Sequence, residues 1–78
     1  MQPHVQVKLL EFDAHIFSYE IAKSRDQKLT ALRRLLRSGH ELKEMAEFVK
    51  NNDDLEIILN AILRADAALN EDIRRLGI

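Results

Sequence analysis

The stretch DDLEIILNAILRADAALNEDIRRLGI, residues 53–78, decides the fold. Asp53 and Glu56 make a D-x-x-E start, in which each side chain can satisfy a free amide at a helix N-terminus. Asp53, Asp54 and Glu56 place negative charge at the positive end of the helix dipole. Arg74 and Arg75 complement the far end, and Gly77 suits the residue just past the last turn. No Gly or Pro interrupts Asp54 to Leu76, a span of roughly 34 Å as a helix. Leu55, Ile58, Leu59, Ile62, Ala65, Leu69, Ile73 and Leu76 fall in one stripe about 120° wide. Ile57, Leu63 and Ala68 lie outside it, and Asp66 lies inside it.

Such a helix is as long as a whole domain of this size, since 78 residues packed compactly give a radius of gyration of roughly 11–12 Å. The helix is therefore central, or it overhangs and needs a second chain. Residues 1–78 read as a single helical domain of marginal stability, because a chain this short buries only about 60–65% of its unfolded surface. With no cysteine there is no disulfide and no thiolate metal site. Oligomerisation or a bound partner is the remaining source of stability.

Outward from that stretch the whole chain reads as all-α: Leu is abundant, with one Pro and two Gly. Pro3 suits a first helical turn. From Val5 to Lys23, Val5, Leu9, Phe12, Ile16 and Tyr19 share one face. Val7, Leu10, Ala14, Phe17 and Ile21 share nearly the opposite face, and a helix apolar on both sides is buried on both sides. The start, Val5 to Leu9, also alternates as an extended segment does. Ser24 to Gln27 is a second capping box. Leu29, Leu32, Leu35 and Leu36 then form an inner face, Thr30, Arg33, Arg34 and Arg37 an outer one, and Gly39 is the expected stop. A short helix follows from about His40 to Lys50, with Leu42, Met45, Ala46, Phe48 and Val49 inward, and Asn51 and Asn52 turn into the last helix. The expectation is a four-helix bundle, helices near 4–23, 25–37, 41–50 and 54–76, assembled as a homodimer.

Charge is segregated. Lys23 to Arg37 carries six positive charges against one negative, and Glu41 to Glu56 six negative against two positive. Either the two segments lie together and partly neutralise, or Arg33, Arg34 and Arg37 meet an acidic partner or phosphate. The net charge of −1 gives no overall basic footprint for nucleic acid or anionic lipid. No apolar run reaches membrane-spanning length, and Met1 to His4 does not open a signal peptide, so the cytoplasm is the expected setting.

Catalytic and metal chemistry find little to stand on. The pairs His40 with Glu44 and Glu11 with His15 offer two ligands each, where a zinc site needs three or four. Ser24 is accounted for by capping, and no G-x-S-x-G or phosphate-cradling glycine loop is present. The reading is of no enzyme, no cofactor, no metal and no small-molecule substrate. Residues 29–45 carry the outline of helix, glycine turn, helix, so a DNA-binding regulator using helices 25–37 and 41–50 is the alternative. Its reading helix would be net acidic, which suits a phosphate-lined groove poorly.

What remains is a protein–protein interaction module: adaptor, inhibitor or regulator. Arg33, Arg34 and Arg37 are the candidate contacts for a polar partner. Leu10, Phe17, Ile21, Ile57 and Leu63 are the candidates for apolar association or dimerisation. Asp66 is either a stripe-edge residue reaching water or a polar residue that fixes register at an interface.

Overall fold

A computed structural model describes residues 1–75. It contains three helices and, among the described residues, no strand: α1 (Pro3–Ile21), α2 (Arg25–Ala46) and α3 (Asn52–Arg75). The all-α expectation holds, and the fourth helix does not exist as a separate element. The expectations for Leu76 and Gly77 fall outside the described residues. The molecule is longer than a sphere of its mass, 39 × 19 × 16 Å with a radius of gyration of 13.2 Å, because α2 and α3 each run nearly its full length.

α1 begins at Pro3, whose missing amide is one the first turn could not have bonded anyway. The alternating start is helical throughout. α2 begins at Ser24, whose hydroxyl accepts from the Gln27 amide at 3.1 Å while the Gln27 side chain accepts from the Lys23 amide at 3.2 Å. The Ser24 cap is thus formed, and the return bond from Gln27 goes to the amide before the cap rather than to that of Ser24. α3 begins two residues earlier than D-x-x-E suggests. Asn51 Oδ1 accepts from the amides of Asp53 at 2.8 Å and Asp54 at 3.2 Å, so Asn51 is the cap and Asp53 lies inside the first turn. Asn outcompetes Asp here because its carbonyl reaches two free amides while Asp53 and Asp54 still serve the dipole.

Gly39 is the main correction. α2 passes through it without a break and continues to Ala46, so residues 25–37 and 41–46 form one rod and the helix-turn-helix outline is not built. Glycine serves a different purpose there. A Cβ on Gly39 would stand 3.1 Å from Phe12 Cε1, so the bare backbone is what lets the Phe12 ring lie against α2. Ser38, expected in a turn, is buried in the same contact region. The rod ends at Ala46, with Phe48 and Val49 amides closing onto the carbonyls of Met45 and Ala46. Phe48, expected inward, is 81% exposed.

The core is built from one side of α1. Val5, Phe12, Ile16 and Tyr19 are buried against Ala31, Leu35 and Leu42 of α2 and Ile58, Ala61 and Ala65 of α3. α1 packs along both other helices, whereas α2 and α3 meet each other sparsely. Where α1 comes close, its neighbours offer small residues: Ala31, Ser38 and Gly39 on α2, Ala61 and Ala65 on α3. Both helices are therefore rotated away from the faces expected on leucine content. Leu29 and Leu36 of α2, and Leu59 and Ile73 of α3, sit about half exposed.

Two stability measurements follow. Asn51→Ala should cost about 1 kcal/mol in urea denaturation followed by circular dichroism, and Asp53→Ala distinctly less; the reverse order would restore Asp53 as the cap. Gly39→Ala should gain little in the native background, where Phe12 opposes it, and about 1 kcal/mol once Phe12→Leu has opened the space. Equal effects in both backgrounds would mean that the ring contact carries no energy.

Candidate interaction surfaces

The face of α1 opposite the core is bare. Val7 is 52% exposed, Leu10 69%, Phe17 61% and Ile21 56%, with Ala14 exposed between them. The positions 7, 10, 14, 17 and 21 alternate steps of three and four, the spacing of a coiled-coil seam. The two opposite stripes read from sequence are thus both present, and the chain itself covers one of them.

The other apolar candidates do not form one surface with it. Ile57 and Leu63 are both exposed, at 51% and 63%, but six residues of helix separate them by about 120°. Ile57 shares its side of α3 with Arg64, which pairs with Asp13 of α1, so Ile57 flanks the bare α1 face. Leu63 points elsewhere on α3.

A second apolar surface was not evident in the sequence. Between α2 and α3, on the side away from the bare face of α1, lies a hollow of about 830 Å³ walled by Leu29, Leu32, Leu69 and Ile73. An adjoining hollow of about 240 Å³ is lined by Leu36, Ile62 and Leu69, with Asp66 and Lys43 on its rim. The leucine row of α2, expected as one inner face, is divided: Leu35 is buried and Leu32 half-buried, while Leu29 and Leu36 open onto this groove. The small residues Ala31, Ser38, Ala61 and Ala65 were the signal that the close contacts lie to one side. Asp66 is exposed at this groove, at the edge of the stripe rather than within the core.

Charge is arranged by the continuity of α2. Of the acidic stretch only Glu41 and Glu44 share that rod with the basic residues, while Asp53, Asp54 and Glu56 open α3, so among the described residues the two stretches meet only where Arg37 stands near Glu41. Arg33, Arg34 and Arg37 are exposed, and none of them makes an ion pair among the described residues. Glu41 pairs instead with Lys8 of α1 at 2.5 Å, and Lys8 also reaches Glu11 at 3.3 Å. Lys8 holds the Glu41 carboxyl below the usual carboxylate range, with a smaller contribution from Arg37.

At the other end of the bundle Lys28 bridges all three helices. Its ammonium lies 2.9 Å from Asp72 and 4.5 Å from the centre of the Tyr19 ring. Burial pushes the Tyr19 hydroxyl from an ordinary value near 10 up to about 12, helped by the neighbouring Asp72 carboxylate. Asp72 is in turn lowered by Tyr19 first and Lys28 second.

Among the described residues no three His, Asp or Glu side chains gather as a metal site would require. His40 and Glu44 meet at 2.9 Å, both on the surface, and Glu11 is engaged with Lys8 rather than His15. No known protein family matches the chain, and neither a curated protein nor a solved structure does.

The raised Tyr19 value sets an alkaline limit. The folded state holds this proton more tightly than the unfolded chain, so its contribution is complete below pH 10 and is lost as pH rises from 10 toward 12. Tyr19 is the only tyrosine and there is no tryptophan, so tyrosinate absorbance reports this group alone. Its midpoint should lie well above 10 and coincide with loss of helical signal. A midpoint near 10 with the helices intact would contradict the buried placement.

Proposed function

We propose that the chain is a non-enzymatic protein–protein interaction module of the cytoplasm, an adaptor, inhibitor or regulator that works as a homodimer. The observation that carries this reading is the bare seam Val7, Leu10, Ala14, Phe17, Ile21 on the outer side of α1. Monomeric proteins rarely leave a contiguous apolar strip of this kind in water, and such strips mark sites of association. The seam spacing is one that a second α-helix fills by interdigitation. A second copy of the same helix meets that requirement, with Ile57 at the margin of the contact. Leu63, on a different side of α3, is left out of this interface.

Arg33, Arg34 and Arg37 support a second contact, to an acidic protein surface. They are exposed and unpaired among the described residues, on the basic half of α2. The same three residues favour the alternative of a phosphate backbone, as in a small DNA-binding regulator, although without a separate reading helix that contact would be to backbone rather than bases.

The test is light scattering on a size-exclusion column, with 260 and 280 nm absorbance recorded together. The expected mass is twice that of the chain without excess at 260 nm. Phe17→Glu should reduce it to one chain while leaving the helical signal unchanged, since Phe17 is not in the core. Arg33, Arg34 and Arg37 changed together to Glu should leave the dimer intact. A monomer at all concentrations would remove the self-association, and co-eluting nucleic acid lost with the arginines and with added salt would promote the alternative.

A further inference from the structure

We propose that the groove between α2 and α3 seats a fourth helix, an acidic amphipathic helix belonging to another protein. This rests on reading the chain as a protein-binding module, and it assigns one of its surfaces a partner.

The packing leaves a vacancy of helical shape. α1 holds α2 and α3, which touch each other little, and the two hollows between them meet at Leu69 and lie in line, as a trough, along one face of α2, that of Arg25, Leu29, Leu32, Leu36 and Lys43. Leu29 is 49% exposed, Leu36 57% and Ile73 48%, rows of apolar side chains along both walls. From Leu29 to Lys43 the trough follows α2 for about 21 Å, roughly four turns of an occupant. An extended peptide would find no strand edge to bond its backbone here, whereas a helix satisfies its own backbone and needs only an apolar seat.

The rim selects the charge. Arg25, Lys28, Lys43 and Arg75 stand around the trough against Asp66 and Asp72, on a chain whose net charge is −1. Lys28 is engaged by Asp72 and Arg75 by Glu71, so Arg25 and Lys43, both on the α2 rim, are the cations left for carboxylates of an incoming helix. Asp66 stands on the α3 wall of the same trough. A second copy fits poorly. The seam of α1 lies on the opposite side of the molecule from the trough, so seam into trough would be a head-to-tail contact that propagates without closing, and trough against trough would set two rims with the same free cations, Arg25 and Lys43, against each other.

The experiment uses the whole chain and two synthetic labelled helices of equal length and identical leucine positions, one with glutamates on its polar face and one with lysines. Fluorescence anisotropy should show the acidic helix binding about tenfold tighter or more at low salt, with the gap closing as salt is added. Leu36→Gln together with Ile73→Gln should weaken the acidic helix by a similar factor, and Phe17→Glu should leave it unchanged. Equal binding of the two helices would overturn the charge assignment, and sensitivity to Phe17→Glu would move the site to α1. If neither helix binds while Phe17→Glu still splits the dimer, the trough is not a helix seat and the interaction reading survives without it. If mass instead grows without limit with concentration and Leu36→Gln stops it, the trough belongs to a second copy and the proposal fails.

Discussion

The ring of Phe12 lying on the bare backbone of Gly39 sets the geometry of the molecule. It brings the axes of α1 and α2 together where side chains are small, with Ser38 on the same helix and Ala31 two turns away. Close approach on that side turns the leucine edge of α2 outward. α3 then docks on the remaining flank of α1 through Ile58, Ala61 and Ala65, again by small residues, and its own leucine edge turns the same way. The trough and the bare seam are both consequences of one central helix being served by two partners that crowd its inner side.

This arrangement explains why so short a chain leaves so much apolar surface in water. Three helices can enclose one stripe of each, and α1 carries two. Burying the second would require another element, which the described chain does not supply. Marginal burial is general for chains of this size, and here the shortfall is localised in two definable places rather than spread over the surface. The ion pairs contribute little to offset it. Lys8 with Glu41, half-buried, and Arg64 with Asp13, exposed, tie α1 to its neighbours near the surface, where such pairs are individually weak.

Much of this was legible in the sequence, and the failures have specific causes. The two stripes of α1 and the Ser24 cap follow from local periodicity and local hydrogen bonding, which the chain encodes within a few residues. Gly39 was misread because glycine ends a helix and admits a close contact for the same reason, the missing Cβ. Only the presence of Phe12, 27 positions earlier in sequence, separates the two meanings. Asn51 against Asp53 is a competition between adjacent caps, decided by which side chain reaches two amides. Leu29, Leu36, Leu59 and Ile73 are inward by hydrophobicity alone; the core takes Ile58 and Ala65 from the expected stripe but adds Ala31 and Ala61 in place of those four, because separation between helices is set by the smallest residues at the crossing. The residues proposed for contact, Leu10, Phe17, Ile21, Ile57 and Leu63, are all exposed, but Ile57 and Leu63 part company once the helix is drawn in three dimensions.

The connections between helices are short, residues 22–24 and 47–51, and the topology is almost wholly local. Chains of this kind acquire their structure quickly, since little loop entropy is lost before contacts form. They also come apart in order. α1 and α2 share the deeper contact and form the hairpin that persists. α3 is held by Ile58, Ala61 and Ala65 in the core with Ile62 and Leu69 packed partly buried against it, the smaller contact of the two, so its amide protons are the ones expected to exchange first. The trough has α3 as one wall, so it exists only while that helix is closed, and any molecule that settles there slows the opening of α3.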